Sequence, residues 1–166
     1  MGTDTVTCQF GLKTKAFRDN ITFTVNKEDY LRFVEGYSFC LATGGYVLYS
    51  SKKDGLNGKR LHRVMLQIPD DSKLQGDHIN QNKLDNTREN LRICTNQQNS
   101  CNKSLTKSNT SGYKGVWFDK RSNRWCSQIR VDGKKHHLRT HDTAKQAHRL
   151  YCFVAKRIQG EFACLK

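Results

Sequence analysis

Asp132-Gly133 stands between two runs that alternate in polarity, RWCSQIRV before it and KKHHLR after it. A two-residue Asp-Gly link is a strong hairpin signal, because its backbone twist matches that of two antiparallel strands. Alternation along the first run sets Trp125, Ser127, Ile129 and Val131 on one face, and Arg124, Cys126, Gln128 and Arg130 on the other. YKGVWF upstream reads as a further strand. Downstream, Ala144, Ala147, Tyr151, Val154, Ala155 and Ile158 form one apolar stripe of a helix over 143–159, with Asp142 or Thr143 as its cap and Gly160 as its stop. The C-terminal part is therefore expected to be a three-stranded antiparallel sheet with one helix on a face.

Charge separates this part from the rest. Residues 103–166 hold 15 basic and 4 acidic side chains, whereas residues 1–102 hold 14 and 11. So small and basic a segment calls for a polyanion partner. KSLTKSNTS, at 103–111, has no periodicity and reads as a linker. The organisation expected is 1–102, a linker over 103–111, and 112–166. The seven cysteines are odd in number and contain no C-x-x-C pair, which argues against structural zinc or a disulfide framework and for a reducing cytoplasm. No N-terminal apolar run has the length of a signal peptide or a membrane span.

The first part mixes elements. NITFTV and YVLYS read as strands, KEDYLRFVEGY as a helix, and SKKDGLNGK as a loop. Leu61, Val64, Met65 and Ile68 mark a short helix ended by Pro69. The class expected is α+β, a compact layer that supports the polar stretch C-terminal to Pro69.

GDHINQNKLDNTRENLRICTNQQNSCNK, at 76–103, is rich in asparagine. Asp77-His78 opens a short extended piece, Leu91-Arg92-Ile93 is a second, and T-x-x-Q from Thr95 to Gln98 is a capping-box start for a helix. Such a unit can bring an acid, an imidazole and an amide to one point. Asp and Asn oxygens suit Mg²⁺, a neutral imidazole can take a proton from water, and an interior Asn can hold a long loop shut.

This stretch resembles the HNH motif of the His-Me-finger (ββα-metal) nucleases, with His78, Asn90 and Asn99 at the key positions. Its wording is similar to the phage-type HNH homing endonucleases, as is the lead-in from Tyr46 through LHRVML. The resemblance implies a ββα-metal nuclease domain. In it, His78 is the general base, Asn90 braces the loop and the His-bearing strand, and Asp77 and Asn99 hold one divalent metal, Mg²⁺ or alternatively Mn²⁺. His62 and Arg63 match an HR pair of the lead-in, which implies a contact of Arg63 with the substrate backbone.

SGYKGVWFDKRSNRWCSQIRVDGKKHHLRTHDTAKQAHRLYCFVAKRIQGEFA resembles the Apetala-two/ethylene-response-factor DNA-binding domain, whose sheet enters the major groove. The resemblance implies contacts from Lys114, Trp117, Arg124, Gln128, Arg130, Lys135 and His137. Arg suits guanine edges, Gln adenine, and Lys phosphate. The chain departs from the family pattern at Arg139, His141 and His148. His136, His137 and His141 read as a basic groove lining, since no acidic or Cys partner completes a metal site.

Together the readings imply a site-preferring, metal-dependent endonuclease of double-stranded DNA that leaves 5′-phosphate and 3′-hydroxyl ends. It would be phage-encoded, act in the bacterial cytoplasm, and be a monomer or weak dimer. The alternative is a DNA-binding regulator with an idle nuclease site.

Overall fold

The computed structural model describes residues 4–12, 14–50 and 53–165. Residues 51 and 52, which open the loop read in SKKDGLNGK, lie outside these. The chain divides into two compact units, Met1–Thr95 and Asn96–Lys166.

Three two-stranded antiparallel sheets make the first unit: β1 (Thr5–Gln9) with β2 (Thr22–Asn26), β3 (Phe39–Leu41) with β4 (Val47–Tyr49), and β5 (Gln75–His78) with β6 (Leu91–Cys94). Short helices join them: α1 (Lys15–Arg18), α2 (Lys27–Asp29), which runs on into a π-turn over Tyr30–Val34, and α3 (Leu61–Met65). Phe10, Phe23, Phe39, Tyr49, Leu61 and Met65 fill one core. The Phe23 ring sits 5.2 Å from both Phe10 and Phe39, so an aromatic chain binds the first two sheets. The buried Tyr49 hydroxyl donates to the Phe33 carbonyl at 2.7 Å. β1 alternates Val6 and Cys8, turned inward, with exposed Thr5, Thr7 and Gln9, whereas β3 is a short apolar run without alternation.

The second unit opens with α4 (Asn96–Asn102), followed by β7 (Val116–Asp119), β8 (Arg124–Val131), β9 (Lys134–His141) and α5 (Ala144–Gln159). The sheet order is β7-β8-β9, antiparallel throughout. Thr143 caps α5 in a full capping box with Gln146, and Gly160 stops it. Ile129, Tyr151 and Ala155 are the buried centre between sheet and helix. Gly115 has φ +70°, and a Cβ there would collide with the Tyr151 ring. The register shifts between Ser127 and Gln128, which leaves Leu138 over on β9, packed on that centre.

The α+β class with small antiparallel sheets and few helices is as the patterns predict. By compactness the chain divides between Thr95 and Asn96, so α4, which bears Asn99, groups with the second unit.

Candidate active site and nucleic-acid interface

β5 and β6 are joined by the polar segment 79–90, and this segment positions His78. The Asn90 side chain, at the end of it, ties back to its start and its middle: Oδ1 accepts from the Asn80 N–H at 2.8 Å and Nδ2 donates to the Asp85 carbonyl at 2.7 Å. Asn80 accepts from the Asn82 N–H at 2.8 Å and donates to Asp85 Oδ2 at 2.7 Å. The segment is also tied to β2 and α2. The Thr24 N–H donates to the Leu84 carbonyl and the Asn86 N–H to the Thr24 carbonyl, each at 2.8 Å. Arg88 forms a bidentate pair with Asp29 at 2.6 and 2.7 Å, and its N–H donates to Asn26 Oδ1 at 2.7 Å.

His78 is buried, and its Nε2 lies 3.3 Å from Asn86 Oδ1. The Asn86 amide is oriented by its Nδ2, which donates to the Lys83 carbonyl at 3.4 Å. Nε2 is then the nitrogen that carries hydrogen, and Nδ1 the one with the basic lone pair. Burial pushes the His78 imidazole below its ordinary value, and Asn86, Asp77 and Asp85 oppose that shift. The ring is neutral at neutral pH, as a proton acceptor must be.

His62 packs against it, with ring centroids 4.9 Å apart, and Tyr46 covers both at 5.3 and 6.2 Å. Burial first, then His78, Arg60 and Arg63, push His62 down to about 3. Its ring lies so close to β5 that a Cβ on Gly76 would come within 2.6 Å of His62 Cδ2. Arg60 and Lys83 sit over the Tyr46 ring at 4.5 and 4.4 Å, which makes the rim basic.

Asp77 is 6% exposed, and Arg92, opposite it in the register, donates to its Oδ2 from Nε at 2.9 Å and Nη2 at 2.8 Å. No group of three or more His, Cys, Asp or Glu side chains able to hold a metal gathers among the described residues. A buried carboxylate and an amide oxygen are hard donors few in number, a set that fits Mg²⁺, which keeps most of its waters or takes phosphate oxygens. Asp77 and His78 stand in the first unit, and Asn99, half-buried on α4, in the second. The guanidinium of Arg63 donates to the carbonyls of Leu74 at 3.2 Å and Pro69 at 2.8 Å, and so shapes the turn before β5.

In the second unit the register gathers the implied DNA contacts on the sheet face away from α5. Trp117 pairs with Cys126, Asp119 with Arg124, Gln128 with His137, and Arg130 with Lys135. Paired residues share a face, so Trp117, Arg124, Gln128, Arg130, Lys135 and His137 lie together. Trp117 is 40% exposed, and Arg124 pairs with Asp142 at 2.9 Å on the surface. Lys114 is the exception: its Nζ turns inward, to the carbonyls of Cys101 at 2.6 Å and Lys103 at 2.5 Å.

Sequence reasoning missed Asn86 and Arg92 as partners of His78 and Asp77. Asn86 is one asparagine among several, and Arg92 becomes visible only when the β5–β6 register is known.

Residues 111–161 match the AP2 domain family. The chain is 34% identical over 147 residues to a protein named Uncharacterized HNH endonuclease L560, from Acanthamoeba polyphaga mimivirus, across 86% of this chain and 73% of that one. It is 34% identical over 87 residues to Protein 3.8 of Escherichia phage T7, across 52% of this chain and 71% of that protein. No solved structure matches it.

Proposed function

Because the chain belongs to the HNH endonuclease family and carries an AP2 domain, we propose that it is a site-preferring, metal-dependent endonuclease of duplex DNA, of the homing type. It hydrolyses phosphodiester bonds to 5′-phosphate and 3′-hydroxyl ends. The observation that carries this reading is a buried, neutral His78 whose tautomer is set by Asn86, next to a buried carboxylate.

His78 Nδ1 takes the proton of the attacking water. Asn86 holds Nε2 and the developing imidazolium. Asn90 keeps the loop closed, so that the strand end bearing His78 stays fixed. Asp77 and Asn99 are the residues that would hold one Mg²⁺ or Mn²⁺; such an ion would supply charge stabilisation to the phosphate and the departing oxygen. Arg92 anchors Oδ2 of Asp77 and fixes the direction of the carboxylate. The open sheet face, with Trp117, Arg124, Gln128, Arg130, Lys135 and His137, grips the duplex. One chain carries one such site, so a monomer nicks one strand. The setting is a phage-infected bacterium; among the described residues no helix is long and apolar enough to cross a membrane.

One observation favours a second reading, a DNA-binding regulator with an idle site: Asp77 already has a cationic partner in Arg92. Plasmid nicking with Mg²⁺, Mn²⁺ or a chelator separates the two. Metal-dependent nicks are expected; a panel of duplexes left intact under every condition leaves only the regulator.

A further inference from the structure

We infer that Lys114 and the Gln97–Asp132 pair are positioning residues for α4, the helix of the second unit that carries Asn99. This rests on the nuclease reading above.

α4 has seven residues, too few to hold helical form in water by itself. It is fixed near both ends by the sheet unit. At its C-terminal end the last carbonyls lack intrahelical donors, and the Lys114 ammonium supplies them, at 2.6 Å to Cys101 and 2.5 Å to Lys103. A cation there also complements the helix dipole. In the first turn, Gln97 Nε2 donates to Asp132 Oδ1 at 3.0 Å. Asp132 sits in the hairpin turn at φ 48°, followed by Gly133 at 76°. Asn99 lies between the two anchors. Between them α4 also borders the DNA-contact strands: Asn96, Gln97 and Ser100 share a groove of about 760 Å³ with Gln128, Arg130 and Lys135.

Lys114 thus has a task that its place in the DNA-binding pattern does not announce. An inward ammonium held by two carbonyls is not offered to phosphate. Loosening it frees α4 and displaces Asn99, while the open face of the sheet keeps its side chains.

The test uses the full chain, a cognate duplex and Mn²⁺. DNA affinity and its salt slope, Mn²⁺ uptake by electron paramagnetic resonance, and single-turnover cleavage are measured for Lys114→Met and Lys114→Arg. Lys114→Met is expected to leave the salt slope unchanged while Mn²⁺ affinity and cleavage rate fall roughly ten- to a hundredfold. Lys114→Arg, which can still donate to carbonyls, restores most of both. A salt slope reduced by about one, with Mn²⁺ uptake intact, makes Lys114 a phosphate contact and overturns the inference.

Gln97→Glu guards against misfolding, since it keeps a good helix former on an exposed site and sets two carboxylates face to face. It is expected to lower Mn²⁺ affinity, and the double variant Gln97→Glu/Asp132→Asn to recover it; no change in either overturns the inference. A wild type that neither takes up Mn²⁺ nor cuts removes the nuclease reading too, whereas an active wild type with indifferent variants removes the inference alone.

Discussion

The segment 79–90 and the Asp132-Gly133 link both turn the chain between antiparallel strands, and they do so by opposite means. The short turn is made by backbone conformation, with two consecutive residues at positive φ. The long one is made by side chains: Asn80, Asn82, Asp85 and Asn90 each satisfy main-chain groups that a loop of this length leaves without partners. A turn of the first kind is indifferent to most side chains around it. A turn of the second kind is as strong as its least replaceable amide. The first presents a surface; the second holds the buried His78 ring still.

The two regions should therefore fail differently. The largest effect is expected at His78. His78→Ala lowers single-turnover cleavage by about 10²–10⁴-fold while duplex affinity is kept. Equal loss of both would make the long turn a binding element, and the contrast would disappear. Next is Gly115→Ala, which forces a Cβ into Tyr151 at positive φ; it should destabilise the second unit by roughly 3 kcal/mol or more in a urea titration, locating that unit's weak point in packing and not in its turn.

Asn90→Ala leaves the Asn80 N–H and the Asp85 carbonyl without that partner and should cost about 1–3 kcal/mol. Asp132→Asn keeps the φ preference and should shift stability by no more than about 0.5 kcal/mol. Similar costs at the two positions would show that both turns rest on side chains.

A smaller effect comes from pH. The folded His62 value lies far below the ordinary one, so the unfolded chain binds the extra proton below about 6.5. Stability is fully present above that pH and is lost progressively as pH falls from 6.5 towards about 3. By pH 5.5 the loss should be about 1 kcal/mol by urea titration, and His62→Gln should flatten the slope.

The second unit was legible because its information is periodic. The β8 alternation, the Asp-Gly link and the helix stripe each restate one geometry, and the strands, the cap at Thr143 and the stop at Gly160 stand where these signals put them. The leftover Leu138 was not legible, since a bulge depends on how two strands are matched. In the first unit the β5 and β6 segments could be seen, with Asp77 and His78 on β5. What they touch could not. Asn86 and Arg92 reach His78 and Asp77 through a register and a loop path that no local pattern encodes. Lys114 matches a binding pattern, and its ammonium turns to the Cys101 and Lys103 carbonyls, because spacing in sequence does not say which way a flexible side chain turns.

The ties from the 79–90 segment to Thr24, Asn26 and Asp29 bear on how the protein comes to be folded. Arg88 reaches partners 59 and 62 positions earlier in the chain. Contacts of that span close late, since the entropy of a long chain segment must be overcome before they form. The part of the chain with the most recognisable wording is thus among the last to take shape, and a peptide cut to that wording would lack the strand on which its loop is hung.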